Sequence, residues 1–161
     1  MEGLKKHLYQ LAILHTQPRD EAVFFRKYFD EHLYISLPAG HPLADRKSVS
    51  FQDLKGMSIL AHGNAGFWVD ICQQNLADTK LLVQDSMEVL NELVEASSLP
   101  VFHSDLARER GYQTAGRVMI PIDDRPAHAT YYLACLESEK ARFAPVFCAV
   151  QSKGTSVEGP S

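Results

Sequence analysis

Met57-Ser58-Ile59-Leu60-Ala61-His62-Gly63-Asn64-Ala65-Gly66-Phe67-Trp68-Val69-Asp70-Ile71-Cys72-Gln73-Gln74-Asn75-Leu76 carries the reading of the fold. The apolar run at 57–61 has the length of a strand. Five residues with two glycines follow, the composition of a turn. Apolar residues then return at helical spacing over 67–76, with Phe67, Ile71 and Asn75 on one stripe and Trp68 and Cys72 beside it. Strand, tight turn and helix make the repeating unit of an α/β sheet.

The same alternation extends outward. Upstream, 33–37 reads as a strand stopped by Pro38-Ala39-Gly40, and 50–54 as one helical turn capped by Ser50 and ended by Gly56. The run at 9–14 reads as a strand ended by Gln17-Pro18, with Leu4 and Leu8 in the last turn of a helix before it. Residues 21–29 fit a helix or an extended connector equally, because Phe24, Phe25, Tyr28 and Phe29 crowd every face. Downstream, 81–83 reads as a strand, and Asp85-Ser86 caps a helix over 87–96 whose apolar face is Val89, Leu90, Leu93, Val94 and Ala96. Residues 99–102 read as a strand, and Ser104 or Asp105 caps a short helix ended by Arg110-Gly111. Strands at 118–122 and 129–136 follow, then a helix over 138–151 interrupted near Pro145, then a disordered Gly/Ser/Pro-rich tail at 152–161.

Composition narrows the function. The chain has 161 residues, with 16 Lys plus Arg against 20 Asp plus Glu, a formal charge of −4. A stand-alone nucleic-acid clamp needs a positive field and is excluded. No run of 18 apolar residues predicts a membrane span, and no signal peptide is legible at the N-terminus. Cys72, Cys135 and Cys148 form no C-x-x-C pair, and each sits in apolar company, so a reducing cytoplasm and core packing are expected. No nucleophile elbow, P-loop, H-E-x-x-H or G-x-G-x-x-G motif occurs. The seven histidines have no metal-ligand spacing, and neither a metal nor a cofactor is expected.

The turn His62-Gly63-Asn64-Ala65-Gly66 is the local feature with chemistry. It sits where an α/β sheet binds ligands, at the carboxyl end of a strand and the start of a helix. Asn64 adds a donor and an acceptor, and the two glycines permit close backbone approach. A helix cap without a ligand explains the same residues equally well. Ser97-Ser98-Leu99-Pro100 is a second strand-entry turn, for which a simple helix stop is the plainer reading.

A family resemblance enters with Glu31-His32-Leu33-Tyr34-Ile35-Ser36-Leu37-Pro38-Ala39-Gly40-His41-Pro42-Leu43-Ala44. This stretch resembles the effector-binding region of LysR-type transcriptional regulators, where an acidic residue, an apolar strand, Pro and a turn lead into His-Pro-Leu-Ala. Val49-Ser50-Phe51-Gln52-Asp53-Leu54-Lys55-Gly56 is similar to the family's V-S-x-x-D-L-x-G. Leu8-Tyr9-Gln10-Leu11-Ala12-Ile13 is similar to its G-x-L-D-L-A-I, with Gln10 in place of Asp, and 85–96 matches its helix ending in L-V-x-A. After Ala96 the family's G-x-G is replaced by Ser97, Ser98 and Leu99.

The resemblance implies an α/β fold like a type II periplasmic binding protein, a mixed sheet flanked by helices, with its first lobe incomplete. Residues 1–17 would be a remnant of lobe one, 18–125 lobe two, and 126–151 the crossover strand and last helix of lobe one. It implies a cytoplasmic effector-sensing domain that binds a small molecule in an interlobe cleft and works as a homo-oligomer. DNA would be reached only through a helix-turn-helix absent from this chain. His62, Gly63, Asn64, Gly66, Phe67, Trp68, Ser97 and Ser98 are the expected ligand contacts, and no catalytic residue is expected. A solute-binding lobe of the transport type, or a small α/β enzyme, are the alternatives.

Overall fold

In the computed structural model the described residues are 1–63, 66–106 and 115–154, with side chains as far as Val150. The chain divides into two units, Met1–Asp30 with Ala129–Ser161, and Glu31–His128. The first boundary falls inside a strand rather than at Pro18. That strand, β2 (Val23–Pro38), absorbs the segment that read as helix or connector. Its first residues, Val23 to Phe25, are covered on both faces, neighbouring side chains pointing opposite ways, while 26–28 are exposed.

In unit 1 the helix α1 (Glu2–Lys5), the strand β1 (Ala12–Leu14), the first half of β2 and the strand β7 (His128–Leu136) surround a small core. Strand β7 lies between β1 and β2, and β1 pairs with it antiparallel, Ile13 opposite Leu133. Val23, Phe25 and Ala134 pack with Leu4 of α1 on one face. Phe24, Leu133 and Cys135 pack on the other against Phe143, Phe147 and Val150 of the last helix, α4 (Lys140–Gly154). Helix α1 is shorter than expected, and Leu8 stands 75% exposed beyond it. Helix α4 runs through Pro145 without a break. Proline there removes one backbone bond, and its exposed ring leaves the bereft carbonyl to water, while Phe147 and Val150 stay buried beside it.

In unit 2 the sheet order is β6 (Arg117–Pro121), β2, β5 (Val101–Ser104), β3 (Ser58–His62) and β4 (Lys80–Gln84). Strand β2 is antiparallel to β5 and β6, whereas β3 is parallel to β4 and β5, so the sheet is mixed. Strand β5 begins two residues later than the sequence suggests. Pro100 has no N–H for the ladder, and its carbonyl instead accepts from Leu60 N at 2.8 Å.

Helix α2 (Phe67–Asn75) buries Trp68 and Cys72 rather than the Phe67–Ile71–Asn75 stripe. With Leu76 they form an i, i+4, i+8 row, and burial pushes the Cys72 thiol up to about 12. Cys135 is also buried, but Cys148 is exposed, so core packing accounts for two of the three cysteines. Helix α3 (Met87–Ala96) has its expected bounds and is capped by Ser86, whose Oγ accepts from Val89 N. Leu90 and Val94 are its buried residues, packed on Leu60 and Val101. Leu93 is half-buried, and Val89 and Ala96 face solvent, so the apolar face is narrower than its sequence implies.

The expected turn at Ser50 is a 3-10 turn, Phe51–Leu54, held by a capping box between Ser50 and Asp53. The Ser50 backbone N–H, its hydroxyl and Arg46 hold the Asp53 carboxyl below the usual carboxylate range. The short helix expected after Ser104 lies outside the described residues beyond Leu106, and the tail lies outside them from 155 on.

Leu90 is 2% exposed and Val89 43%. Leu90→Ala is therefore expected to cost roughly 2–5 kcal/mol, by loss of transfer energy and an unfilled cavity, while Val89→Ala stays within about 0.5 kcal/mol. Urea unfolding of the two variants checks this, and equal destabilisation would place the wrong face of α3 inside.

Candidate functional site

The carboxyl edge of β3 and β4 is built by register. His62 pairs with Gln84 at the end of both strands, so Gly63 and Asp85 leave the sheet side by side. A Cβ on Gly63 would fall on the Asp85 carboxylate. Glycine is what lets the backbone approach that acid so closely. Gly66 has φ +60° and ψ −131°, outside the range of most L-residues, and it is the N-cap of α2 without a side-chain cap. No side chain caps the first turn of α2, where Val69 N donates to Gly66 O at 3.2 Å. The Phe67 and Trp68 rings lie 4.5 Å apart at 30°. Trp68 is 5% exposed, and its indole Nε1 has no hydrogen-bond partner among the described residues.

This edge thus gathers His62, Gly63, Gly66, Phe67 and Trp68. Asn64 lies outside the described residues. Ser97 and Ser98 do not join them. They precede β5, which starts beside Leu60 and runs parallel to β3, so they stand at the opposite, amino-terminal edge of the same sheet. Ser97 is occupied there as a helix stop: its Oγ donates to Leu93 O at 2.6 Å and accepts from Leu99 N at 3.4 Å.

Three groups in unit 2 carried no legible sequence signal. Asp85, read only as a helix cap, is the acid beside Gly63. Asp105 accepts from His32 N at 3.1 Å and bonds His32 Nδ1 at 2.8 Å, and the His32 ring lies 5.0 Å from that of His128. Those partners are too far apart in sequence to be paired by spacing. Arg117 ties β6 to β2 and to the segment between α3 and β5, donating to Ser36 Oγ, Ser36 O and Leu99 O. Among the described residues no group of three or more His, Cys, Asp or Glu is placed to hold a metal ion.

The comparisons with known proteins agree with this architecture. A family model described as the LysR substrate binding domain matches residues 1–145. Among solved structures, the reduced OxyR regulatory domain from Pseudomonas aeruginosa is similar at a TM-score of 0.69 and 18% identity, covering 92% of this chain and 75% of that one. Full-length BenM is similar at a TM-score of 0.72 and 20% identity, covering 99% of this chain and 55% of that one. The regulatory domain of MetR, a LysR family regulator from N. meningitidis, is similar at 0.71 and 14%, covering 92% and 71%. A comparison with curated proteins finds no match. The fold is the mixed α/β fold of LysR substrate-binding domains. The chain belongs to the LysR substrate-binding domain family. It spans about half the length of the full-length regulators it resembles. No described helix is long and apolar enough to cross a membrane.

His103 gives unit 2 a pH dependence. Burial, and then the charge of Arg117, hold its pKa below the ordinary value of 6.5. The folded state therefore keeps the ring neutral while the unfolded chain takes up a proton, and stability falls as the pH drops through and below that value. The depressed carboxylates Asp20, Asp53 and Glu88 act at lower pH, where they gain protons. Melting curves between pH 8 and 5.5 should show a loss that shrinks in His103→Gln. Equal losses in both proteins would remove His103 as the cause.

Proposed function

We propose that this chain is the effector-sensing domain of a LysR-type transcription regulator, and that the effector contacts the carboxyl edge of β3 and the start of α2. What supports the reading is the family membership over residues 1–145 together with the uncapped α2 terminus behind the Gly63 backbone. His62, Gly63, Asn64, Gly66, Phe67 and Trp68 are the proposed contacts. Backbone N–H groups and Asn64 take a polar or anionic part of the effector, and the Phe67 ring covers an apolar part. The finer picture is a small molecule held in the interlobe cleft and shifting an equilibrium between two arrangements of a homo-oligomer. DNA contact would be made by a helix-turn-helix outside these residues, in the cytoplasm. The domain serves regulation and not catalysis.

A thermal-shift screen of small metabolites against the full chain finds the effector. Asn64→Ala then weakens it by about 1–2 kcal/mol, the worth of one or two polar contacts, with little change in melting temperature. Gly63→Ala is the sharper probe. Its new methyl meets the end of an exposed, rotatable Asp85 side chain, so folding tolerates it while the backbone loses its close approach. Calorimetry showing unchanged effector affinity in both variants would remove this edge from the binding site.

A further inference from the structure

We propose that a cavity at the amino-terminal edge of the unit 2 sheet is a second binding site, for a small organic monocarboxylate. Its volume is about 530 Å³, and its walls are the end of α3, with Val94, Glu95 and Ser98, and the junction of β2 with β6, with Pro38, Gly116 and Arg117. That volume lies within the range of small-molecule sites. The register puts it at the other end of the sheet from His62 and Gly63, so the inference does not rest on the function proposed above.

Arg117 sets the chemistry. Its Nε donates to Ser36 Oγ at 3.3 Å, and Nη2 donates to Ser36 O at 3.1 Å and to Leu99 O. Nη1 has only a contact at 3.5 Å, with Val94 O. Every one of these acceptors is neutral, and among the described residues Arg117 takes part in no ion pair. Part of its water has been replaced by carbonyl oxygens that bring no countercharge. Guanidinium stays charged in such a place, so an anion reaching Nη1 gains a charge-assisted bond. The Ser98 hydroxyl, at an exposed position, supplies a second donor.

The same walls limit which anion fits. Glu95 is exposed at the rim, and the carboxyl-terminal end of α3 is the negative end of the helix dipole. Both repel an anion, a dianion about twice as strongly as a single carboxylate, so the one guanidinium favours the lower charge. Pro38, Ala96 and Ala115 offer apolar surface to a short hydrocarbon chain. A carboxylate head on an apolar tail is the class that satisfies all of these groups.

Titration of the full chain with hexanoate, followed by backbone amide shifts, tests this, with hexan-1-ol as neutral control and inorganic phosphate as the more highly charged one. Saturable hexanoate binding with shifts at Ser98 and Gly116 is expected, with both controls at least roughly tenfold weaker. Glu95→Gln removes a repelling charge from the rim and should tighten hexanoate binding by about threefold. Arg117→Met keeps the side-chain stem and drops the charge, and should abolish it. Arg117 also fastens the end of α3, so if that variant melts early the Glu95→Gln comparison decides. Hexanol binding as well as hexanoate, affinity unchanged in Glu95→Gln, or no saturable shift at Ser98 and Gly116 would each overturn the proposal.

Discussion

Leu60 opposite Val101 is the pairing on which the rest of unit 2 depends. Both side chains are buried under Leu90 and Val94 of α3, which fixes the register of β3 against β5 by burial as well as by hydrogen bonding. A slip of one residue would turn Leu60 away from α3 and bring its neighbours into the core in its place. With the register held, both parallel strands end at one edge, and the backbone after His62 arrives beside Asp85. The opposite edge receives everything that precedes β5, including Ser97 and Ser98. Two chemically different rims therefore follow from one buried pair. One has a helix N-terminus without a side-chain cap and an acid, the other a guanidinium and a helix carboxyl end.

Unit 1 is held by a different device. Its half of β2 alternates Val23 and Phe25 toward α1 with Phe24 toward α4, so the sheet packs on both faces there, while Ile13 of β1 stays exposed. Phe24 meets Phe147 edge to face with centroids 4.9 Å apart, and Phe25 meets Tyr132 in the same way at 5.6 Å. Such pairs add about 0.5–1.5 kcal/mol each beyond their buried area. The pair Lys5–Asp20 and the bond from Glu137 N to Ala22 O, at 2.8 Å, tie the flanking turns to this sheet.

What could be read from the sequence was whatever local periodicity decides. Met87 to Ala96 was legible as a helix because its apolar residues repeat at helical spacing behind Ser86, and the turn at Ser50 because a serine cap and a glycine stop bracket it. The strand 23–29 was illegible because both faces are covered at 23–25 and 26–28 are exposed, which erases the alternation that marks a strand. The start of β5 was misjudged because a proline has the apolar character of a strand residue without its donor. Of the site, the His62–Gly66 turn was visible from its glycines. The separation of Ser97 and Ser98 from it was not, since it depends on strand direction, a non-local property. The approach of Asp85 to Gly63 and the grip of Arg117 on Ser36 are likewise contacts between distant segments, which no spacing rule encodes.

The effector is proposed to sit at the carboxyl edge of β3. Amide hydrogen exchange of the whole chain, with and without a metabolite that raises its melting temperature, tests it most directly. Protection is expected to be gained over 62–68, at the end of β3 and the first turn of α2. Protection gained only elsewhere, with exchange at 62–68 unchanged at saturating ligand, would contradict it.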